Sequence, residues 1–156
     1  MAVLPPFQRF LEDHRDDVWR FLVAAVGRTD ADDCFQETFM AAMRAYPRLR
    51  PDSNLHAWIL TIAHRKALDT YRARKRNAVS VEEVPEVAHH DPELQDGALW
   101  EHVRALPPKQ RGAIMLRYAG DLSHAEIATA LQCSEEAARR SLHEGLKKLR
   151  TAVVTA

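Results

Sequence analysis

The sequence predicts an all-α fold, made of two small helical domains joined by an acidic flexible linker. Apolar residues recur at helical spacing on both sides of the linker, and no stretch alternates as a β-strand would. Residues 77–99 carry six acidic residues and no Lys or Arg, and two prolines and a glycine interrupt helical periodicity there. We therefore predict a domain over 1–76, a linker over 77–99 and a domain over 100–156.

Composition excludes several classes of function. Lys and Arg total 22 and Asp and Glu also total 22, so the chain as a whole is not basic. Residues 65–76 are nevertheless locally basic, with six basic residues and one Asp. No apolar run approaches the roughly 18 to 20 residues of a membrane span. The start, MAVLPPFQRF, lacks a charged segment before a long apolar one, so no secretory signal is predicted and a cytoplasmic location is expected. The two cysteines are far apart and no H-E-x-x-H pattern occurs, so no metal site is predicted.

The first domain is predicted to contain three helices. Apolar residues from Phe7 to Leu22 recur at helical spacing, and Gly27 closes that helix. A second helix follows the acidic start DADD. A third begins after cap-type residues such as Asn54 and ends in the basic run. The second helix has one apolar stripe, formed by Phe35, Phe39, Ala42 and Tyr46.

The second domain shows the pattern of two short helices joined by a tight turn. Pro108 suits a helix start, and Ser123 with Glu126 forms an S-x-x-E capping box. Gln132 and the next residue make the turn, and Ser134 can cap the last helix. The inner face of that helix carries Ala138, Leu142, Gly145 and Leu149, and a basic outer face carries Arg139, His143, Lys147 and Arg150. This spacing favours a helix-turn-helix that reads a DNA major groove, and leaves open a merely solvated basic face.

The two halves together resemble bacterial RNA polymerase sigma factors of the extracytoplasmic-function group. The stretch DADDCFQETFMAAMRAYPRLRPDSNLHAWILTIAHRKALDTYRARKR resembles sigma region 2, and LPPKQRGAIMLRYAGDLSHAEIATALQCSEEAARRSLHEGLKKLR resembles region 4. The resemblance implies a protein that binds core RNA polymerase and directs it to promoter DNA with −35 and −10 elements. It implies no catalytic residues, no metal and no cofactor. It also implies an anti-sigma protein as a further partner.

Residue roles follow from matching the family's motifs. The residues matched to polymerase binding are Asp33, Gln36, Glu37 and Phe39. Those matched to the −10 element are Asn54, His56, Trp58, Thr61, His64 and Arg65, with Arg72, Arg74, Lys75 and Arg76 on phosphates. Those matched to the −35 element are Ser134, Arg139, Arg140, Ser141, His143 and Lys147. Phe39 and Trp58 have an alternative role in the core, and the four cations at 72–76 have one as a solvated helix end.

Two positions depart from the family pattern. Arg65 stands where the family often has Asn, and a guanidinium cannot copy the paired donor and acceptor of an amide. Glu144 falls where a basic residue is common. It can pair with Arg140 and Lys148 at i, i+4, or accept a hydrogen bond from cytosine N4. These departures bear on which promoter sequence is preferred.

Three alternatives to a sigma factor differ in how much of the sequence they explain. A stand-alone helix-turn-helix regulator explains 122–150 but leaves the motifs of the first half unexplained. A degenerate sigma-like chain kept for protein contacts is compatible with Arg65 and Glu144. A zinc enzyme built on the 8 histidines lacks a ligand cluster in the sequence.

Overall fold

The computed structural model describes residues 3–80 and 97–155, and within these residues every regular element is helical. The all-α prediction is confirmed for this part of the chain. The α-helices are α1 (Phe7–Val26), α2 (Arg28–Ala45), α3 (Leu55–Ser80), α4 (Gly97–Arg104), α5 (Pro108–Ile114), α6 (His124–Leu131) and α7 (Glu135–Thr155). A 3₁₀ turn follows α2 at Tyr46–Arg48, and a π-helical segment at Met115–Ala119 continues α5.

The first half of the structure, α1 to α3, is a three-helix unit in which each helix packs on the other two. Its centre is aromatic: the Phe10 ring centroid lies 5.2 Å from that of Tyr46 and 5.7 Å from that of Trp58. Phe21 and Ile59 are fully buried beside this cluster. Burying such side chains contributes roughly 1.5–3 kcal/mol each, so the predicted apolar stripes are what hold the unit together.

Gly27 lets α1 end and α2 start within one residue. Its φ is 83°, a left-handed value that favours glycine, and its N–H donates to the Val23 carbonyl at 2.9 Å. The sharp turn sends α2 back alongside α1. The prediction that Gly27 closes the first helix is confirmed.

The second half, α4 to α7, forms a smaller unit around Ile114, Leu116 and Ile127. Its predicted starts and turns are confirmed. α5 begins at Pro108, and α6 carries the complete capping box, in which the Ser123 hydroxyl accepts from the Glu126 N–H and the Glu126 carboxylate accepts from the Ser123 N–H. Gln132 makes the turn with φ 57°. The four predicted inner-face residues of α7, Ala138, Leu142, Gly145 and Leu149, are all buried.

The predicted linker lies mostly outside the described residues. α3 continues to Ser80 and α4 starts at Gly97, so helix occupies both ends of the stretch 77–99. Residues 81–96 are not described. The division at 76 and 100 therefore stays a prediction. None of the described helices is both long enough and apolar enough to span a membrane.

The two halves pack against each other. α1 contacts α4 and the π-helical segment, and the start of α3 contacts α6. Gly120 lies at this contact: a Cβ there would lie 3.2 Å from Cδ1 of Leu60 in the first half, and 2.8 Å from the Leu116 carbonyl oxygen of its own half. A larger residue would therefore meet both halves at this point.

Candidate nucleic-acid interface

The residues matched to polymerase binding lie on α2, and all but one are exposed. Asp33, Gln36 and Glu37 project to solvent. Phe39 does not: its side chain is 6% exposed, and its ring centroid lies 4.9 Å from that of Phe35. Phe39 is therefore a core residue that fixes the orientation of this surface.

Two methionines on the same helix were not singled out from the sequence. Met40 and Met43 are 55% and 57% exposed, and they follow Gln36 at helical spacing. Flexible thioether side chains are frequent on protein-binding surfaces. We call the exposed group Asp33, Gln36, Glu37, Met40 and Met43 the α2 surface.

Asn54 joins the helix caps of the two halves. Its Oδ1 accepts from the Ala57 N–H at 3.1 Å, which caps α3. Its Nδ2 donates to Oε2 of Glu126 at 2.5 Å, and the other oxygen of Glu126 accepts from the Ser123 N–H at 2.9 Å. The Asn54 amide, predicted to contact the −10 element, is thus bonded on both sides by protein groups in this arrangement.

His56 is held between the two halves. Its Nε2 donates to the Gly120 carbonyl at 2.8 Å, and its Nδ1 lies 3.8 Å from Oδ2 of Asp17. Since the carbonyl can only accept, the proton sits on Nε2. The second predicted −10 residue is therefore also engaged by the second half.

His64 is buried where α3 meets α5. Its side chain is 6% exposed, and a Cβ on Gly112 would lie 2.9 Å from its Cε1. Burial lowers the pKa of His64 from 6.5 to about 4, with smaller contributions from Arg111 and Arg65. His64 is thus neutral at physiological pH and closed off from solvent.

Trp58, Thr61 and Arg65 line a groove along α3. Asn54 stands at one end, and Glu126 and Thr129 of α6 close the other side. Trp58 packs one edge on the aromatic core and turns the other to this groove, so both of its predicted roles are compatible with its position. Arg65 is exposed and makes no hydrogen bond or ion pair with the described residues.

The basic end of α3 divides into free and engaged cations. Arg72, Lys75 and Arg76 are exposed and have no bonded partner among residues 3–80 and 97–155. Arg74 instead donates to the Val26 carbonyl at 2.9 Å and forms an ion pair with Asp30. Its guanidinium ties α3 to the junction of α1 and α2, so only the other three are unengaged for phosphate contacts.

The residues matched to the −35 element lie on α7 and at the turn before it. Ser134 caps the helix, its hydroxyl accepting from the Ala137 N–H at 3.1 Å. Arg139 and Arg140 are exposed and pair with acids one turn earlier, at 2.8 Å to Glu135 and 3.7 Å to Glu136. Such exposed pairs contribute little stability and exchange readily for phosphate. His143 and Lys147 are exposed and Ser141 is half-buried.

The predicted pairing of Glu144 is wrong. Neither Arg140 nor Lys148 bonds to it; Gln110 of α5 donates to its Oε2 at 3.5 Å, a long contact between exposed groups. Arg140 turns towards the start of α7 because Glu136 lies there. Glu144 thus points towards α5.

Arg104 is a residue that the sequence did not indicate. From α4 its Nε donates to the Ala24 carbonyl at 2.9 Å and its Nη2 to the Val23 carbonyl at 3.3 Å. These carbonyls belong to the last turn of α1, where the helix dipole favours a cation. The Val23 carbonyl also accepts from the Gly27 N–H at 2.9 Å. Tyr71 and Arg74 of α3 bond the next two carbonyls, Ala25 and Val26. One arginine of the second half therefore completes the cap of a helix in the first.

Arg111 extends the same contact. Its guanidinium carbon lies 3.8 Å from the centroid of the Tyr71 ring, a cation–π geometry. One of its nitrogens donates to the Arg104 carbonyl at 3.5 Å. Arg104, Arg111 and Tyr71 form a polar cluster between the halves. The sequence does not indicate this cluster, because neither arginine belongs to a motif and the partners in the first half lie far away along the chain.

Within the described residues, no group of three or more His, Cys, Asp or Glu side chains is placed to hold a metal ion. The candidate site consists of three surfaces, on α2, α3 and α7. Its chemistry is that of hydrogen-bonding amides and imidazoles, an indole edge and guanidinium groups.

Two family models match this chain. Sigma-70 region 2 matches residues 10–77 and Sigma-70 region 4 matches residues 96–149. The chain is 32% identical to the ECF RNA polymerase sigma factor SigD of Mycobacterium tuberculosis, over 94% of this chain and 76% of that protein. It is 30% identical to the ECF RNA polymerase sigma factor SigE of Mycolicibacterium smegmatis, over 96% of this chain and 62% of that protein.

The fold is also that of a solved sigma factor. The structure of RpoE from Bartonella quintana, solved with the anti-sigma factor NepR, superposes with a TM-score of 0.76 at 21% identity, covering 94% of this chain and 96% of that one. The two matched regions stand in the order and on the helices that the sequence predicted. The chain belongs to the extracytoplasmic-function group of RNA polymerase sigma factors.

Proposed function

We propose that this chain binds core RNA polymerase and directs it to promoters by recognising −35 and −10 elements and helping to open the DNA. The observation that carries the proposal is the presence of regions 2 and 4 in one chain, with the matched residues of region 2 on α2 and α3 and those of region 4 on α7 and the turn before it. A stand-alone helix-turn-helix regulator would need only the second half. The function is initiation rather than catalysis, so we propose no enzymatic activity and no cofactor.

The α2 surface is the proposed contact with polymerase. It combines carboxylates, an amide and two exposed methionines on one helix whose opposite face is anchored by Phe39. Exposed apolar side chains flanked by polar ones are typical of protein interfaces. The rigid backing means that docking requires no refolding of α2.

Base recognition at −10 is proposed for the groove along α3. An indole edge at Trp58 beside the hydroxyl of Thr61 suits stacking and hydrogen bonding of an unpaired base. Arg65 adds a cation where an amide is common in the family, so we expect a different base preference there. Arg72, Lys75 and Arg76 then track the phosphates of the single strand.

Recognition at −35 is proposed for α7. Its helix start is fixed by the Ser134 cap, and its buried face packs through Ala138 and Gly145, which allow close approach to α5. Arg139 and Arg140 lie on the opposite side, exposed near the helix start. That is the end of a recognition helix which reaches base edges in the major groove.

We also propose that an anti-sigma protein regulates the chain, in the cytoplasm. The support is the similarity of fold to RpoE, whose structure was solved with such a partner. The halves meet along a cleft of about 610 Å³ whose aromatic lining includes Trp19, Trp100 and Tyr118. A cleft of this kind suits a helix with apolar side chains.

The experiment is run-off transcription by purified core polymerase on a library of genomic fragments, with and without this chain. Glu37→Arg on the α2 surface should lower core affinity by about tenfold or more, because it reverses the charge within an interface. Glu12→Arg on exposed α1 is the matched control and should leave core affinity unchanged. Failure of the wild-type chain to bind core would refute the proposal, and equal losses in both variants would refute the role of the α2 surface.

A further inference from the structure

The residues matched to the −10 and −35 elements differ in how they meet the rest of the chain. We call Asn54, His56, Trp58, Thr61, His64 and Arg65 the α3 face, and Arg139, Arg140, His143 and Lys147 the α7 face. Asn54 and His56 bond to the second half, and His64 packs on Gly112 of that half. The four residues of the α7 face are exposed.

We propose that the free chain holds itself closed through a latch between its halves, so that Asn54, His56 and His64 of the α3 face are engaged by the second half until the chain is bound to polymerase. The latch consists of three contacts between the halves. Arg104 bonds to the carbonyls at the end of α1, Glu126 bonds to Asn54, and His64 packs against Gly112. The covering element belongs to the chain itself, so no inhibitor is needed for this state. The structural part of the inference is independent of the proposed function, while its consequence for promoter opening rests on it.

The Arg104 contact is the strongest part of the latch. A charged donor bonded to two helix-end carbonyls combines charge-assisted hydrogen bonds with a favourable helix dipole. Burial lowers the pKa of Arg104, which reflects its partial removal from water. Opening the chain would leave the Ala24 carbonyl without the side-chain partner that it has here, so water must replace it.

The Glu126 contact engages Asn54, which lines the groove proposed for base recognition. Glu126 is held in place by its own helix cap, since one oxygen accepts from Ser123 while the other reaches Asn54. A carboxylate bound to this amide occupies an acceptor position that a nucleic-acid oxygen would need. The second half therefore competes directly with DNA for Asn54.

The α2 surface stays exposed in the closed chain. Polymerase can therefore dock on α2 first, before the halves separate. Separation then releases Asn54, His56 and His64 only on polymerase, which limits binding of single-stranded nucleic acid by the free chain. The α7 face is exposed in the closed chain, so the latch does not limit the binding of duplex DNA.

The test is histidine footprinting with diethylpyrocarbonate on the full chain near neutral pH, read by mass spectrometry. His64, at 6% exposure, should react at least about tenfold more slowly than exposed His143. Arg104→Ala should raise the rate at His64 by about tenfold, as expected on loss of hydrogen bonds from a charged donor, and leave His143 unchanged. Circular dichroism checks that both halves keep their helices.

Glu126→Gln is the second variant, chosen because Gln at this position can still complete the capping box. It should raise the rate at His64 by a few-fold with unchanged helicity. If Arg104→Ala loses helix content, the reaction rate of His64 in Glu126→Gln is the test of the latch. A wild-type His64 that reacts as fast as His143, or no change at His64 in folded variants, would overturn the latch. Core binding, measured separately, distinguishes this failure from failure of the proposed function.

Discussion

The α3 face and the α7 face, which we propose to read one promoter, are presented in opposite ways. On α3, Asn54 and His56 form hydrogen bonds with the second half, and His64 is buried against it. On α7, the cations meet only acids of their own first turn. A single-strand reader must be kept from unpaired nucleic acid elsewhere in the cell, whereas a duplex reader is limited by its sequence preference. The difference suggests that control in this chain acts on opening rather than on the first contact with duplex DNA.

Arg139→Ala should have the largest effect and should act on the α7 face alone. If Arg139 forks onto a guanine, the loss on the cognate −35 duplex is about 1–3 kcal/mol, or roughly tenfold to a hundredfold in affinity. The cost should be the same in wild type and in Arg104→Ala, because the α7 face is exposed in the closed chain. Titration of labelled duplex measures it.

A scrambled duplex is the control for Arg139→Ala. Equal losses on cognate and scrambled DNA would assign Arg139 to phosphate instead. A loss of affinity that appears only in the Arg104→Ala background would show that the α7 face is not accessible to duplex DNA in the closed chain.

Acidification should open the chain through His64. The closed chain holds the pKa of His64 at about 4, so a proton binds more tightly once the chain opens and the pKa returns towards 6.5. The contribution of His64 to closure is complete above pH 6.5 and is lost as pH falls towards about 4. Near pH 5.5 the open form should gain about tenfold relative to neutral pH. Small-angle scattering of the free chain measures the increase in radius.

His64→Gln is the control for this pH effect and should remove most of it. The charged groups facing His64 are Arg65 on α3 and Arg111 on α5, with Lys109, Arg72 and Arg140 along the adjoining groove. All five are Lys or Arg side chains, so none of them is a carboxylate or a second imidazole. An unchanged pH response in His64→Gln would assign the effect to another group.

Gly112→Ala should open the chain more modestly, by a few-fold. Its Cβ would lie 2.9 Å from Cε1 of His64, while alanine favours the α5 helix by about 1 kcal/mol. The effect should therefore come from the interface rather than from the helix. Scattering should detect a larger particle, and adding His64→Ala should restore closure by making room. Failure of the double variant to close would place the strain within the second half, where Leu131 lies 3.0 Å from the same Cβ.

Local features of this fold could be read from the sequence, and the reason is physical. The Ser123 capping box, the Ser134 cap, the Pro108 start and the Gly27 turn each depend on residues within four positions. Their geometry is fixed by backbone groups that must be satisfied locally. The inner face of α7 followed from helical periodicity alone.

Contacts between the halves could not be read in the same way. Arg104 has no helical pattern that points to the carbonyls of α1, 80 positions away. Arg74 sits in a basic run, and nothing local separates it from its neighbours, yet Asp30 and Val26 engage it. His64 matched a DNA-reading position by motif, and only the packing of α5 on α3 reveals that it is buried. Glu144 had two plausible partners in sequence, and neither was used.

The most direct test compares His64 in two states of the same protein. Footprinting should be run on the free chain and on the chain bound to core polymerase without DNA, with His143 as internal reference. We predict slow reaction of His64 in the free chain and an increase of about tenfold on polymerase, as the halves separate. A His64 that already reacts rapidly in the free chain, or that stays protected in the complex, would contradict the latch.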